Sequence, residues 1–379
     1  MVDCIVVGAG PAGGTTAYHL AKQGHAVLVL EKATLPRFKP CSGAVSPSIA
    51  QWFDFDFDPV IDRRIAAIRY TWKLDDPVNA KLKTSEPIWM VQRDAFDQFL
   101  IQKAQEKGAE IQDNTTVTGI KFSGDRWQVN TATGTFDAPY LVAADGANGP
   151  LANWLGLSPG KTRPAALLDI PVDAEAAQTV PISFEFGLLK NGCLWNFPKT
   201  NRYTLAACTF RGGDLKDKEA KAQLEKYASS FGASANQGTY YQHGLKLWDG
   251  NAPLHTQNAL LAGEAAAVAD PLTAEGIRPS ILSGVRAAEA VAKALAGDPD
   301  AIAGYSHTMH NEWGADMQWA QRIAGLFYRV PGIAYRVGIK RPTATQRLGQ
   351  LLAGDIHYAD VANRVTKRLS SSLIPGMGK

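Results

Sequence analysis

The 379-residue sequence predicts an α/β fold: a Rossmann-like dinucleotide-binding domain with an inserted β-sheet domain and a C-terminal helical region. Three observations carry this prediction. A glycine-rich turn stands between two short apolar runs at the N-terminus, residues 166–252 read as strands and turns, and the chain beyond residue 277 is helical in pattern. The length is enough for two or three domains. The predicted division gives residues 1–65, 90–165 and 253–300 to a discontinuous dinucleotide-binding domain. Residues 66–89 and 166–252 form the inserted sheet domain, and 301–379 the helical region.

Each element follows from local pattern. "CIVV" and "AVLVL" are β-rich apolar runs, and Ala17, Leu20 and Ala21 between them have helical spacing, so a right-handed βαβ unit is expected. "IAAIRYTWKL" and "PIWMV" alternate as strands over residues 66–90. "RDAFDQFLIQKAQEKG" then reads as an amphipathic helix closed by Gly108. Two short strands are expected around Thr116 and Trp127, and "YLVAADGA" is a further buried strand ending in a turn. Residues 166–250 form a separate sheet with polar turns. "NALLAGEAAAVADPLTAEGI" returns to a buried strand and a small-residue loop before a helix over 277–295. Pro331 and Pro342 break the helical remainder.

Composition excludes several classes. With 45% hydrophobic and 20% charged residues the chain reads as globular, not disordered. No run of 18 apolar residues spans a membrane, and the first strand begins at Asp3, leaving no room for a signal peptide. Cys4, Cys41, Cys193 and Cys208 form no CxxC pair, and Cys4 falls inside a buried strand, which points to a reducing, cytoplasmic setting. His307 and His310 lack a third ligand and read as a solvent-exposed pair, so no metal site is expected. No nucleophile elbow occurs, and nothing points to nucleic acid.

The net charge of +3 hides an asymmetry. Residues 321–379 hold ten Lys/Arg against two Asp/Glu, which leaves 29 against 34 in the first 320 residues. Such a tail suits a lipid surface or an acidic protein, or docks on its own acidic body. Within it Ile323, Leu326, Phe327 and Val330 follow helical spacing among Arg322, Arg329 and Arg336. That helix lies in a membrane interface or packs on the dinucleotide-binding domain.

The chemistry is carried by motifs. Gly8, Gly10 and Gly13 follow a strand and open a helix; they permit a tight turn, close approach of a pyrophosphate, and close helix–strand packing. Ala12 lies at the helix N-terminus, whose free N–H groups face phosphates. Glu31, with Lys32 behind it, ends the second strand and can accept from a ribose hydroxyl. Asp145-Gly146 follows a later strand. Glu264 follows Gly263 at another strand end, and Asp270-Pro271 leads through Gly276-Ile277 into a helix. An acid at a strand tip can hold a ribityl chain, and a helix N-terminus can stabilise anionic reduced flavin. NAD needs neither, so FAD is the expected cofactor.

The motifs "KPCSGA", "QRDAFDQFL", "ADPLTAEGI" and "LWNFPK", together with the glycine turn and "LLAGDIHYADVANRV", resemble those of the geranylgeranyl reductase family. That family sits among flavoproteins built like para-hydroxybenzoate hydroxylase. Nearly the whole chain takes part in the resemblance. It implies FAD contacts at Ala12, Glu31, Cys41, Ser42, Ala44, Arg93, Val117, Glu264, Gly276 and Ile277. Arg93 either offsets charge near the cofactor or pairs with Asp94 or Asp97.

Trp195 and Phe197 alternate along a strand and form either an isoprenoid-binding wall, as the resemblance implies, or ordinary core. Lys199 either caps a tunnel mouth and holds a diphosphate or is a solvated strand end. Cys41 is a proton donor or relay, or a small packing group. Two departures stand out: Cys193 occupies a position where the family has tyrosine, and Glu264 one where it has Gly-Asp.

The implied activity is FAD-dependent saturation of isolated C=C bonds in a geranylgeranyl, polyprenyl or similar lipidic substrate, with Cys41 and Trp195 at the reacting centre. Its alternative is a flavin monooxygenase or halogenase of the same fold. With one dinucleotide fingerprint, the reductant is NADPH visiting transiently or a small acidic electron carrier such as ferredoxin.

Overall fold

A computed structural model of the chain describes residues 1–211 and 215–362. The basic residues Arg364, Lys367, Arg368 and Lys379 of the predicted tail lie outside the described residues.

Strand β1 (Cys4–Val7) is fully buried between parallel neighbours Tyr140–Ala143 and β2 (Val27–Leu30). Ala259–Leu261 and then His255–Thr256 extend the sheet past Tyr140–Ala143, and Glu110–Gln112 closes it beyond β2. Helix α1 (Pro11–Lys22) packs against α2 (Arg93–Glu106) and the helix Ile277–Leu295. Small residues make that approach close: a Cβ on Gly284 would stand 2.5 Å from the Ala12 carbonyl oxygen.

Glu110–Gln112 is absent from the expected elements. It is short and largely polar, and it forms only because β2 presents an open edge. The strands Val117–Ser123 and Arg126–Thr131 fall where two were expected, and Gly134–Ala138 adds a third by hairpin pairing.

The second large sheet has seven strands in the order Thr239–Lys246, Thr162–Pro171, Arg202–Thr209, Gly192–Lys199, Ile182–Phe186, Ala67–Trp72, Asp75–Lys81. Alternation sorts its two faces. Leu194, Leu205 and Ala207 pack under the helix Asp217–Ser229 with Leu224 and Tyr227. Cys193, Trp195 and Phe197 pack on the other face with Phe184, Phe186, Tyr328 and Tyr335. Ile88–Met90 was read with this sheet from its apolar pattern. It pairs instead with Ala44–Val45 and Arg63–Ile65 in a small separate sheet, because the turn after Lys81 carries it away from Asp75–Lys81.

Pro331 and Pro342 each sit at the first turn of a new helix, Pro331–Ala334 and Pro342–Ala353, where a missing N–H costs nothing. The expected apolar spacing through Val330 is interrupted, since the helix Ala315–Phe327 ends before it. No helix among the described residues is long and apolar enough to cross a membrane.

Candidate functional site

The glycine turn shapes one end of the site. Gly8 has φ +107°, and a Cβ there would lie 2.3 Å from Ala144 O; one on Gly13 would lie 1.9 Å from Gly8 O. Only hydrogen fits at either position. Gly10 is the N-cap of α1 with Pro11 following, and neither a side-chain cap nor an acidic group occupies the first turn, so the helix N-terminus is open to an anion. Above it Arg37 reaches to 3.7 Å from a Cβ position on Gly10.

Glu31 is buried with its carboxylate fixed: Oε2 accepts from Ala9 N at 2.9 Å and Oε1 from Ala33 N at 3.1 Å. Arg37 bridges Glu31, at 3.3 Å, and Asp97, at 2.9 Å. Arg93 holds the same Asp97 through Nε and Nη2, both at 2.8 Å. Burial opposes the Arg93 charge, but Asp97 and the Cys41 sulfur outweigh it and raise the guanidinium above its ordinary value. The pairing with Asp97 anticipated for Arg93 is therefore present, and Arg93 also lines the cavity beside Cys41.

Arg37 was missed by sequence reasoning. The signal, a lone arginine in "LPRFKPCSG", gains meaning only when the loop folds back over Gly10.

A cavity of about 570 Å³ connects this end to the seven-stranded sheet. Gly8, Gly10, Ala12, Glu31, Lys32, Arg93, Val117, Asp145, Glu264, Gly276 and Ile277 all border it. So do Cys41, Ser42 and Trp195 at the far end, with Leu167 and Ala206 of the sheet. Trp195 Nε1 donates to Ser42 Oγ at 2.5 Å, joining the aromatic strand to the Cys41 loop.

Gly43 makes that loop possible. It has φ +76°, and a Cβ would fall 2.1 Å from Val91 O. Cys41 Sγ accepts from Gly43 N at 3.4 Å.

Two acids offer unpartnered oxygens. Asp145 Oδ2 accepts from Leu151 N at 2.9 Å, while its buried Oδ1 has no hydrogen-bond partner; burial raises this carboxyl above its ordinary value. Glu264 Oε1 is likewise buried without a hydrogen-bond partner, with Lys39 at 3.8 Å and His243 at 3.9 Å from the carboxylate. Burial pushes His243 down to about 4 despite Glu264, so the ring is neutral near neutral pH. An open helix N-terminus and two orphaned acid oxygens along one cavity, with Glu31 fixed beside them, fit a long polar dinucleotide such as FAD, because the N-terminus needs an anion and the two oxygens need donors that the described residues do not supply.

The remaining expected residues stand elsewhere. Gly13 is in the turn's packing, not on the cavity wall. Ala44 pairs with Met90 in the small sheet. Asp270 is buried away from the wall; Tyr358 donates to it at 2.6 Å, and the backbone N–H groups of Leu272 and Thr273 cap it. It shapes the loop that carries Pro271 and leads to Gly276.

Phe197 lies in core, edge-on to Phe184 at 5.7 Å. Lys199 neither caps a mouth nor meets solvent: it is 4% exposed and donates to Thr204 Oγ1. The strand end is covered because Asp62 reaches over to Thr200 N at 2.6 Å. Cys193 is buried, and Tyr328 O–H, from another element, points to its Sγ at 3.6 Å. Of the histidine pair, His307 is exposed, while His310 is half-buried edge-on to Trp248.

Residues 63–318 match the family described as FAD binding domain, and residues 3–72 match one described as FAD dependent oxidoreductase. A digeranylgeranylglycerophospholipid reductase of Methanocaldococcus jannaschii is 28% identical over 316 residues, 77% of each chain. The fold is shared with a geranylgeranyl bacteriochlorophyll reductase-like protein of Thermoplasma acidophilum (TM-score 0.76, 20% identity, 93% of this chain and 91% of that one). It is shared also with a triple mutant of a flavin-dependent brominase (TM-score 0.73, 17% identity, 98% of this chain and 100% of that one).

Proposed function

The chain belongs to the FAD binding domain family, an FAD-dependent oxidoreductase, and on that premise we propose that it saturates isolated C=C bonds of a geranylgeranyl or other polyprenyl lipid. The observation that carries this reading is the continuous cavity bordered by the glycine turn, the Cys41–Ser42 loop and Trp195. A nucleotide-binding end and an end bordered by Trp195 share one continuous space, as reduction of a greasy alkene requires. The relative from Methanocaldococcus jannaschii, named for reduction of a geranylgeranylated glycerophospholipid, supports the same substrate class.

Bound FAD would supply hydride when reduced. The rest of the chemistry belongs to the chain. The turn at Gly8–Gly13, Glu31 and Arg37 would hold the dinucleotide end, and the unpartnered oxygens of Asp145 and Glu264 would accept from the cofactor's hydroxyls. Trp195, fixed by Ser42, orients the alkene and excludes water beside it. Cys41 is the proton donor, because it is the cavity-lining thiol at the end where Trp195 stands. In this reading the segments 1–65, 90–165 and 253–300 serve the cofactor, and 66–89 with 166–252 serve the lipid.

The electrons come from NADPH or from a small acidic carrier such as ferredoxin. The protein works at the cytoplasmic membrane surface. Leu326 (68% exposed), Val330, Ile333 (62%) and Val337 lie open among the exposed Arg322, Arg329 and Arg336, a composition suited to anionic lipid headgroups.

The shared fold with a flavin-dependent brominase keeps an oxygen-using reaction as the second reading. Dithionite-reduced protein mixed anaerobically with geranylgeranylated lipid should reoxidise and yield a product heavier by two hydrogens per bond, read by mass spectrometry. Product that forms only with oxygen, or carries oxygen or halogen, overturns the proposal.

A further inference from the structure

Alkene saturation consumes a proton at every turnover, and a buried ammonium stands behind the Cys41 loop. Lys199 ends the strand Gly192–Lys199 on the face of Trp195 and Phe197. Its Cε lies 3.1 Å from the place of a Cβ on Gly43, so the side chain backs directly onto the Cys41 loop. Nζ donates at 2.7 Å to Thr204 Oγ1, and that hydroxyl donates at 2.9 Å to Asp169 Oδ1. Asp169 Oδ2 accepts from Arg202 at 2.8 Å, and there the Arg202 side chain is 32% exposed.

Sheet register builds the row: Phe197, Thr204 and Asp169 stand opposite one another on adjacent strands. The neighbouring row of Trp195, Ala206 and Leu167 lines the cavity.

We propose that Lys199, Thr204 and Asp169 form the proton-supply path of this site, from solvent at Arg202 to the Cys41 loop. The proposal rests on the reductase reading. In the step it serves, the Cys41 S–H bond breaks as a C–H bond forms on the alkene carbon that does not receive hydride, and the electron pair remains on sulfur as thiolate. An N–H of the Lys199 ammonium restores the thiol. The amine regains its proton from the Thr204 hydroxyl, and a proton from water, relayed across the Asp169 carboxylate, replaces it on that hydroxyl. Per bond, one hydride from reduced flavin and one proton from water are consumed.

The electrostatics suit the task. Burial pushes the Lys199 ammonium below the ordinary lysine value, so it releases its proton more readily. Asp169, a Cys41 thiolate and Asp62 favour the charge, and Arg202 opposes it. An ammonium placed only to fill space has no need of a hydrogen-bonded route to the surface.

The test follows Lys199 in FAD-loaded protein by NMR of isotope-labelled lysine side chains, its signal assigned by loss in Lys199→Met. The titration midpoint should lie below that of ordinary lysine and move down further, by about one pH unit, in Asp169→Asn, which removes a favouring charge. The surface control Glu86→Gln should leave it in place.

The rate of lipid reduction should fall as pH rises through the same midpoint, and that limb should shift down with it in Asp169→Asn. Thr204→Val, which keeps the lysine but breaks the route, should slow turnover about tenfold and enlarge the solvent deuterium isotope effect, with flavin content unchanged. A Lys199 that titrates in the ordinary range and ignores Asp169→Asn overturns the proposal, as does a rate limb that stays put when the midpoint moves. If no prenyl lipid is reduced at all, the reductase reading falls, and the NMR titration alone then decides the coupling of Lys199 to Asp169.

Discussion

The dinucleotide end and the aromatic end of the cavity are built by opposite means. At the first, geometry is set by missing atoms: Gly8, Gly13 and Gly284 sit where any Cβ would strike backbone. At the second, geometry is set by filling: Trp195 meets Phe210, which stacks on Tyr328, and Phe184, Phe186, Phe197 and Tyr335 pack in the same core. A backbone collision has no cheap relief, whereas a ring can shift into a neighbour's space. The first end should therefore fail all at once under substitution, and the second by degrees.

Gly13→Ala tests the abrupt end most severely. Its Cβ would stand 1.9 Å from the Gly8 carbonyl oxygen, so strand and helix must part. A loss of about 3 kcal/mol or more is expected, with purified protein lacking flavin absorbance. Full flavin content with an unchanged melting temperature would break the comparison at its root.

Arg37→Ala should be milder, because it removes atoms and adds none. It leaves Glu31 with its two backbone donors and Asp97 with Arg93, so the fold survives. The cationic cover over the glycine turn is lost, and flavin affinity should fall about ten- to hundredfold in a fluorescence titration. Unchanged affinity would assign Arg37 to the ion-pair network alone.

The same contrast governs what was readable in sequence. The dinucleotide end is written locally: strand, glycines, helix, strand and Glu31 fall within residues 4–31, and each residue's reason lies among near neighbours. The helix over 277–295 was legible for the same cause, a long apolar stripe with glycine before it.

What escaped depends on long-range meetings. Arg37 matters because Asp97 lies sixty residues on, and Lys199 because Thr204 and Asp169 face it across strands. Phe197 shares a strand face with Trp195, and the resemblance, not the alternation, casts it as cavity wall. Alternation fixes the face of a strand, not how far along that face the cavity extends. The edge strand Glu110–Gln112 has no apolar signal of its own.

Tyr328→Phe probes the graded end at its gentlest point. The ring stacks on Phe210 at 4.7 Å and 8°, and phenylalanine keeps that contact. Only the hydroxyl is lost, from long bonds to Cys193 Sγ at 3.6 Å and Leu272 O at 3.4 Å. Bonds of that length contribute little, so stability should drop by about 0.5–1 kcal/mol in denaturant unfolding. Flavin content should not change, since Tyr328 is not on the cavity wall.

If the hydroxyl brought in by the C-terminal helix stands in for the tyrosine that Cys193 replaces, Tyr328→Phe should raise KM for the lipid a few-fold while kcat holds. A fall in kcat with KM unchanged would instead mean that the aromatic end positions the reacting bond through Tyr328, and that its failure is not graded at all.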